Sequence, residues 1–145
     1  MPQTERRRGP ELYRFRRLHR LAGFAMLLLG ALGSVNGAIL TECSEAALRA
    51  AVAEGGTIQF ACDGQISLTA PLVISADTVL DAKGRNVKLD GGGVTRILVV
   101  PTNRSIDLIH LTIAAGKADG GGGIQSIGGR VTATNCRFTN NVSLG

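Results

Sequence analysis

Four aspartates, Asp81, Asp90, Asp107 and Asp119, lie within reach in sequence of three basic residues, Arg85, Lys88 and Arg104. Carboxylates of this kind hold a hard cation such as calcium, but only where several oxygens converge on one point. His110 is the one histidine beyond residue 20. A general base needs a hydrogen-bonded partner, and the sequence offers His110 none. The glycine run Gly120 to Gly123 has neither the Lys-Ser/Thr that completes a phosphate loop nor a helical pattern after it, so its glycines serve to turn the chain. Cys43, Cys62 and Cys136 include no C-x-x-C pair and have no His pair to join them, which excludes a structural zinc site. What these residues can do depends on the elements that carry them.

One helix is legible. In "CSEAALRAAVAEGG", Ser44 is suited to the N-cap, Glu45 to the positive helix end and Gly55 to a left-handed C-cap, while Ala47, Leu48, Ala51 and Val52 form one apolar stripe. From Thr57 onward the chain changes to short alternating runs: "TIQFA", "QISLT", "LVIS", "TVLDA", "NVKLDG", "RILVV", "IDLIHLTI", "IQSI" and "RVTATNCRF".

These runs repeat. An offset of 25 sets Ile106 on Val131, Leu108 on Ala133, His110 on Asn135, Leu111 on Cys136, Ile113 on Phe138 and Gly116 on Asn141. An upstream offset of 24 sets Asn86, Val87 and Leu89 under His110, Leu111 and Ile113. A period this short, with two strands per copy, suits one coil of a parallel β-helix, in which equivalent residues stack at the strand spacing of about 4.8 Å. The expected fold is therefore all-β, a right-handed parallel β-helix with a short N-terminal capping α-helix. Leu111 with Cys136 and Ile113 with Phe138 are expected to stack in the core. Asn86, His110 and Asn135 are expected to form a ladder at the bend between two strands, where asparagine tolerates the left-handed backbone and the histidine substitutes for it. Phe60 and Phe138, the only aromatics after residue 37, both point inward by alternation, which leaves no platform for stacking on a sugar ring.

The same offsets place Asp107 over Lys83 and under Thr132, so no stack of carboxylates forms. Asp81 and Asp90 are expected to be turn residues. Ala82 and Gly84 fall where the repeat calls for larger apolar groups, which makes the start of the stack its least regular part. Asn103-Arg104-Ser105 and Asn141-Val142-Ser143 match the N-glycosylation pattern, which matters only in a host that glycosylates; Asn141 is more simply a turn residue.

Charge separates the chain into two parts. Residues 1–20 carry seven arginines against Glu5 and Glu11, a net of +5, which is the formal charge of the whole chain. The remainder is balanced, and a body without a basic stripe is not built to track nucleic-acid phosphates. The arginines precede the apolar run Leu21 to Leu32 and the small residues of "GSVNG", the pattern of a signal peptide, with cleavage expected after Gly37. The competing reading is an uncleaved anchor over Leu21 to Leu40, which Ser34, Asn36 and the interspersed glycines argue against. Arg16 and Arg17 add a twin-arginine export option. Export into an oxidising compartment would let Cys43 and Cys62 pair as a disulfide and leave Cys136 as a small apolar core thiol.

"ALRAAVAEGGTIQFACDGQISLTAPLVISADTVLDAKG", "DGGGGI" and "VTATNCRFTNN" together resemble the opening of parallel β-helix proteins of the pectin-lyase-like superfamily, especially repeat-bearing surface proteins related to polymorphic outer-membrane proteins. The resemblance spans Cys43 to Gly145. It implies the fold and is almost silent about activity. Its pectate-lyase branch would require an acidic calcium site and basic catalytic residues, for which the aspartates, Arg85, Lys88 and Arg104 are the candidates, and their register does not supply the site.

The expectation is a signal peptide over 1–37 followed by the cap and first coils, 38–145, of an exported, secreted or cell-surface scaffold of adhesin type. No catalytic site and no cofactor is expected in this segment. Its partners would be surface or matrix glycans and proteins, with no nucleic acid, and with membrane contact only through the leader. The alternative is the front of a polysaccharide lyase or glycoside hydrolase whose catalytic coils lie beyond residue 145. The final "VTATNCRFTNNVSLG" suggests an interrupted stack; were Gly145 the true end, the open sheet edge would need covering, for instance by end-to-end self-association.

Overall fold

The computed structural model describes residues 37–145, so the expected leader lies outside the described residues apart from Gly37. A short strand β1 (Gly37–Leu40) leads into α1 (Glu45–Glu54), and four coils of parallel strands follow. The first coil is β2 (Gly56–Phe60), β3 (Gly64–Ser67) and β4 (Leu72–Val73). The second is β5 (Thr78–Asp81), β6 (Val87–Asp90) and β7 (Leu98–Val100). The third adds an extra strand: β8 (Ser105–Ile109), β9 (Leu111–Ala114), β10 (Lys117–Asp119) and β11 (Ile124–Ser126). The last described coil is β12 (Arg130–Thr134), β13 (Arg137–Thr139) and β14 (Val142–Leu144).

Strands of successive coils pair in parallel into sheets ordered β1-β2-β5-β8-β12, β13-β9-β6-β3 and β11-β7-β4, with β10 and β14 forming a separate pair. The molecule is an all-β parallel β-helix. Alternation sends one side chain in two to the interior, where columns stack: Ile58, Leu80 and Leu108 in the first sheet, Ile66, Leu89 and Ile113 in the second, and Leu72 under Leu98 in the third. All of these are buried. At roughly 1.5–3 kcal/mol for each fully buried Leu or Ile, these columns dominate the stability of the stack.

The helix forms where its punctuation directs. Ser44 is extended at φ −121° and its hydroxyl accepts from the Ala47 N–H at 3.3 Å. Gly55 closes the last turn at φ +75°, donating to the Ala51 carbonyl at 3.1 Å. A β-carbon on Gly55 would collide with Ala76, so glycine serves there for space as well as for conformation. Leu48 and Val52 bury the apolar stripe, and the helix packs against β1 and β2. Two ties fix its position. Cys43 and Cys62 form a disulfide across 19 residues. Glu45 and Arg49 pair at 2.7 Å and reach together to the loop after β3: Glu45 accepts from the Thr69 N–H at 2.9 Å, while Arg49 donates to the Pro71 carbonyl at 3.1 Å and to that of Ala70.

The register of the second coil departs from the sequence expectation. In the first sheet Thr78 pairs with Ile106, an offset of 106 − 78 = 28, whereas in the second sheet Val87 pairs with Leu111, an offset of 111 − 87 = 24. The difference of four residues is taken up in the bend. Between β5 and β6 it spans residues 82–86, while between β8 and β9 it is His110 alone. Asp107 therefore lies opposite Val79, not Lys83, and the core positions assigned to Ala82 and Gly84 are filled by Thr78 and Leu80. Strand β1 is a further departure, since it falls at the end of the apolar run Leu21 to Leu40 of the competing anchor reading and just past the expected cleavage after Gly37.

Candidate functional site

The four aspartates sit on four different strands, β5, β6, β8 and β10. Asp81 accepts from the Lys83 N–H at 2.8 Å, closing the start of the long bend. Asp90 accepts from the Gly92 N–H at 2.7 Å on one oxygen and pairs with the Lys88 ammonium at 2.7 Å on the other. The Lys88 hydrogen bond, with help from Gly92, holds the Asp90 carboxyl below the usual carboxylate range despite burial acting the other way. Asp107 faces outward between Val79 and Thr132. Asp119 contributes its backbone carbonyl, which accepts from Arg96. Among the described residues, no group of three or more His, Cys, Asp or Glu side chains converges on one point.

Asp63, which sequence reasoning passed over, binds the same bend from the coil below. It accepts from the Asn86 N–H at 2.7 Å and from the Arg85 guanidinium at 3.2 Å. The Asn86 amide first, and Arg85 second, hold its carboxyl below the usual range. Arg85 and Lys88 are thus each held by an acid, and Arg104 helps to form the turn before β8 through its N–H to the Pro101 carbonyl at 3.2 Å.

The bend ladder contains two of its three expected members. His110 and Asn135 take left-handed backbone, φ +57° and +52°, and the Asn135 amide nitrogen lies 3.3 Å from His110 Nε2. Asn86 is not part of this geometry. The five-residue bend of its coil puts the left-handed turn at Gly84, φ +77°, and leaves Asn86 to lead into β6, its N–H directed at Asp63.

A second left-handed column, unforeseen, is formed by Ala115 at φ +51° and Asn140 at φ +55°, where the chain leaves the second sheet. Beside it, Asn141 accepts from the Gly116 N–H and donates to the Ile113 carbonyl, both at 2.9 Å, so one side chain ties two coils.

The core-stack residues divide by coil. Leu111 and Ile113 are buried, and Ile113 lies beneath Phe138 in register. Phe138 is nevertheless 48% exposed and Cys136 half-buried, because they belong to the last described coil and no described coil covers them. The expectation that Phe138 is interior therefore holds for its direction and fails for its burial. The Cys136 thiol lies 3.4 Å from the Leu108 carbonyl.

Arg96 was also missed. Its guanidinium donates to the Gly121 carbonyl at 2.6 Å, to Gln125 Oε1 at 2.6 Å and to the Asp119 carbonyl, locking the glycine-rich loop of the third coil over the second. The only sequence sign of it is a cation just before a strand with a glycine loop one period later. Gly122 and Gly123 complete the lock through their carbonyls, which accept from Ile97 and Leu98. A surface depression of about 520 Å³ opens beside strand β10, lined by Val94 of the loop before β7, by Lys117 and Asp119 and by Leu144 of β14.

Comparison with known proteins finds no matching family, no matching curated protein and no matching solved structure.

Proposed function

We propose that this chain belongs to an exported, surface-displayed or secreted scaffold of adhesin type, built as a pectin-lyase-like β-helix related to polymorphic outer-membrane proteins, whose outer faces meet glycans or proteins. One observation carries the reading: most of the acids and bases that could do chemistry are committed to the framework, and the others, Asp107, Asp119 and Arg104, make no side-chain bond to one another among the described residues. Asp63, Asp81, Asp90, Glu45, Arg49, Arg85 and Arg96 each bond to a backbone group or to an opposite charge in their own or a neighbouring coil. Groups arranged in this way rigidify a rod. The disulfide between Cys43 and Cys62 is compatible with an oxidising destination.

The test is expression of the full chain in a Gram-negative host. Leader removal is read from the N-terminal mass, surface display from protease shaving of intact cells, and catalysis from incubation with polygalacturonate. Leader removal, an oxidised Cys43–Cys62 pair and display without turnover support the reading. Cytoplasmic retention with reduced thiols overturns export. Release of unsaturated oligosaccharides overturns the scaffold role in favour of a polysaccharide lyase.

A further inference from the structure

Two N-x-S triplets occur in the chain, and the fold treats their asparagines differently. Asn103 lies at the tip of the turn between β7 and β8, exposed and left-handed at φ +62°. The turn is held without its side chain. The Arg104 N–H reaches the Pro101 carbonyl at 3.2 Å, and Thr102 Oγ1 donates to the Ile127 carbonyl at 2.8 Å. Among the described residues the Asn103 amide makes no hydrogen bond, and neither does the Ser105 hydroxyl, which starts β8 at an outward position beside buried Ile106. The Ser105 N–H is anchored on Asp77 at 2.9 Å, so the acceptor tripeptide is rigid at its third residue and open at its first. Asn141 is the opposite case. Both ends of its amide are engaged with the coil below, and it lies close against Gly123, where an added β-carbon would come within 3.1 Å of its Cγ.

We propose that Asn103 is a glycosyl-acceptor site and that Asn141 is not. The donor class is a glycosyl pyrophosphate, either a nucleotide sugar or a polyprenyl-linked oligosaccharide. The Asn103 amide nitrogen forms the bond to the anomeric carbon as the bond from that carbon to the pyrophosphate oxygen breaks. The pyrophosphate leaves with the electron pair, and a base of the transferase takes the displaced amide proton. The Ser105 hydroxyl is the recognition group two residues on, which the N-x-S/T pattern requires. Because nothing packs on the Asn103 side chain, the modified chain keeps its fold.

Two arms test this and separate the donors. In the first, the purified folded full chain is incubated with a soluble N-glycosyltransferase and UDP-glucose. In the second, the chain is secreted from a eukaryotic cell, which supplies the polyprenyl-linked donor. Peptide mapping is expected to find sugar on Asn103 in at least one arm, lost in N103Q and S105A, retained in N141Q, with an unchanged unfolding midpoint. Modification in only the first arm assigns a nucleotide-sugar donor, and in only the second a lipid-linked one. An unmodified Asn103 in both arms overturns the proposal, as does sugar on Asn141 of the folded chain.

Discussion

Glu45 and Arg49, one helical turn apart, meet at 2.7 Å and together grip the loop that closes the first coil, Glu45 through Thr69 and Arg49 through the Ala70 and Pro71 carbonyls. The pair is more than a surface i,i+4 contact, because each partner also bonds to backbone more than 20 residues away. Replacing Glu45 by alanine is expected to lower stability by about 1–2 kcal/mol, above the few tenths of an isolated helix pair. The Thr69 backbone hydrogen bond first, then Arg49, hold the Glu45 carboxyl below the ordinary glutamate range. A depressed folded value stabilises above the unfolded value and is lost as pH falls through the folded one. Wild-type stability should therefore fall in acid below about pH 4.3, the ordinary glutamate value, and E45Q should flatten part of that fall in denaturant titrations.

Reduction of the Cys43–Cys62 disulfide removes the second tie on α1. Loop-closure entropy for a loop of this size is worth roughly 3 kcal/mol. The double variant C43S/C62S is expected to unfold at lower denaturant by that order. Because Leu48 and Val52 keep the helix on β1 and β2, its helical circular-dichroism signal should persist below the new transition.

Ala115 adopts φ +51°, a conformation that costs an L-residue with a β-carbon about 1–2 kcal/mol. Glycine relieves that strain and gives back part of the gain as unfolded-chain entropy. A115G is expected to raise stability by roughly 0.5–1 kcal/mol, seen as a higher melting temperature. A115N should act in the same direction, since asparagine already holds the equivalent place at Asn140.

Much of the architecture was legible because parallel stacking writes the same interior residue at each period. Val131 over Ile106, Leu111 over Val87, and the capped helix are all visible in the text of the chain. The second-coil register was not, because a bend can absorb four residues without changing the apolar pattern on either side, which misplaced Asp107 and included Asn86 in the ladder. Strands β10 and β14 carry "KAD" and "VSL", too short to alternate, and are held by backbone pairing that side chains do not announce. Arg96 was invisible because its partners are mainly carbonyls, which every residue possesses.

Arg96 offers a test of that lock. Its planar guanidinium serves three acceptors at once, a geometry a lysine ammonium cannot reproduce. R96M is expected to cost about 2 kcal/mol and to speed amide exchange in the glycine-rich loop 120–123, and R96K is expected to recover only a minor part of the loss.

The central claim is that the acids and bases of this stack are framework groups, and Asp90 tests it most directly. Residues kept for binding or catalysis usually lower stability, so their removal tends to raise it. Asp90 is buried, bonded to Gly92 and paired with Lys88. The measurement is equilibrium unfolding of wild type and D90A at neutral pH. The account predicts a loss of about 2 kcal/mol for D90A, the cost of losing the Gly92 N–H hydrogen bond and the charge-assisted bond to Lys88. An unchanged or raised stability would contradict it and mark Asp90 as a residue held for function.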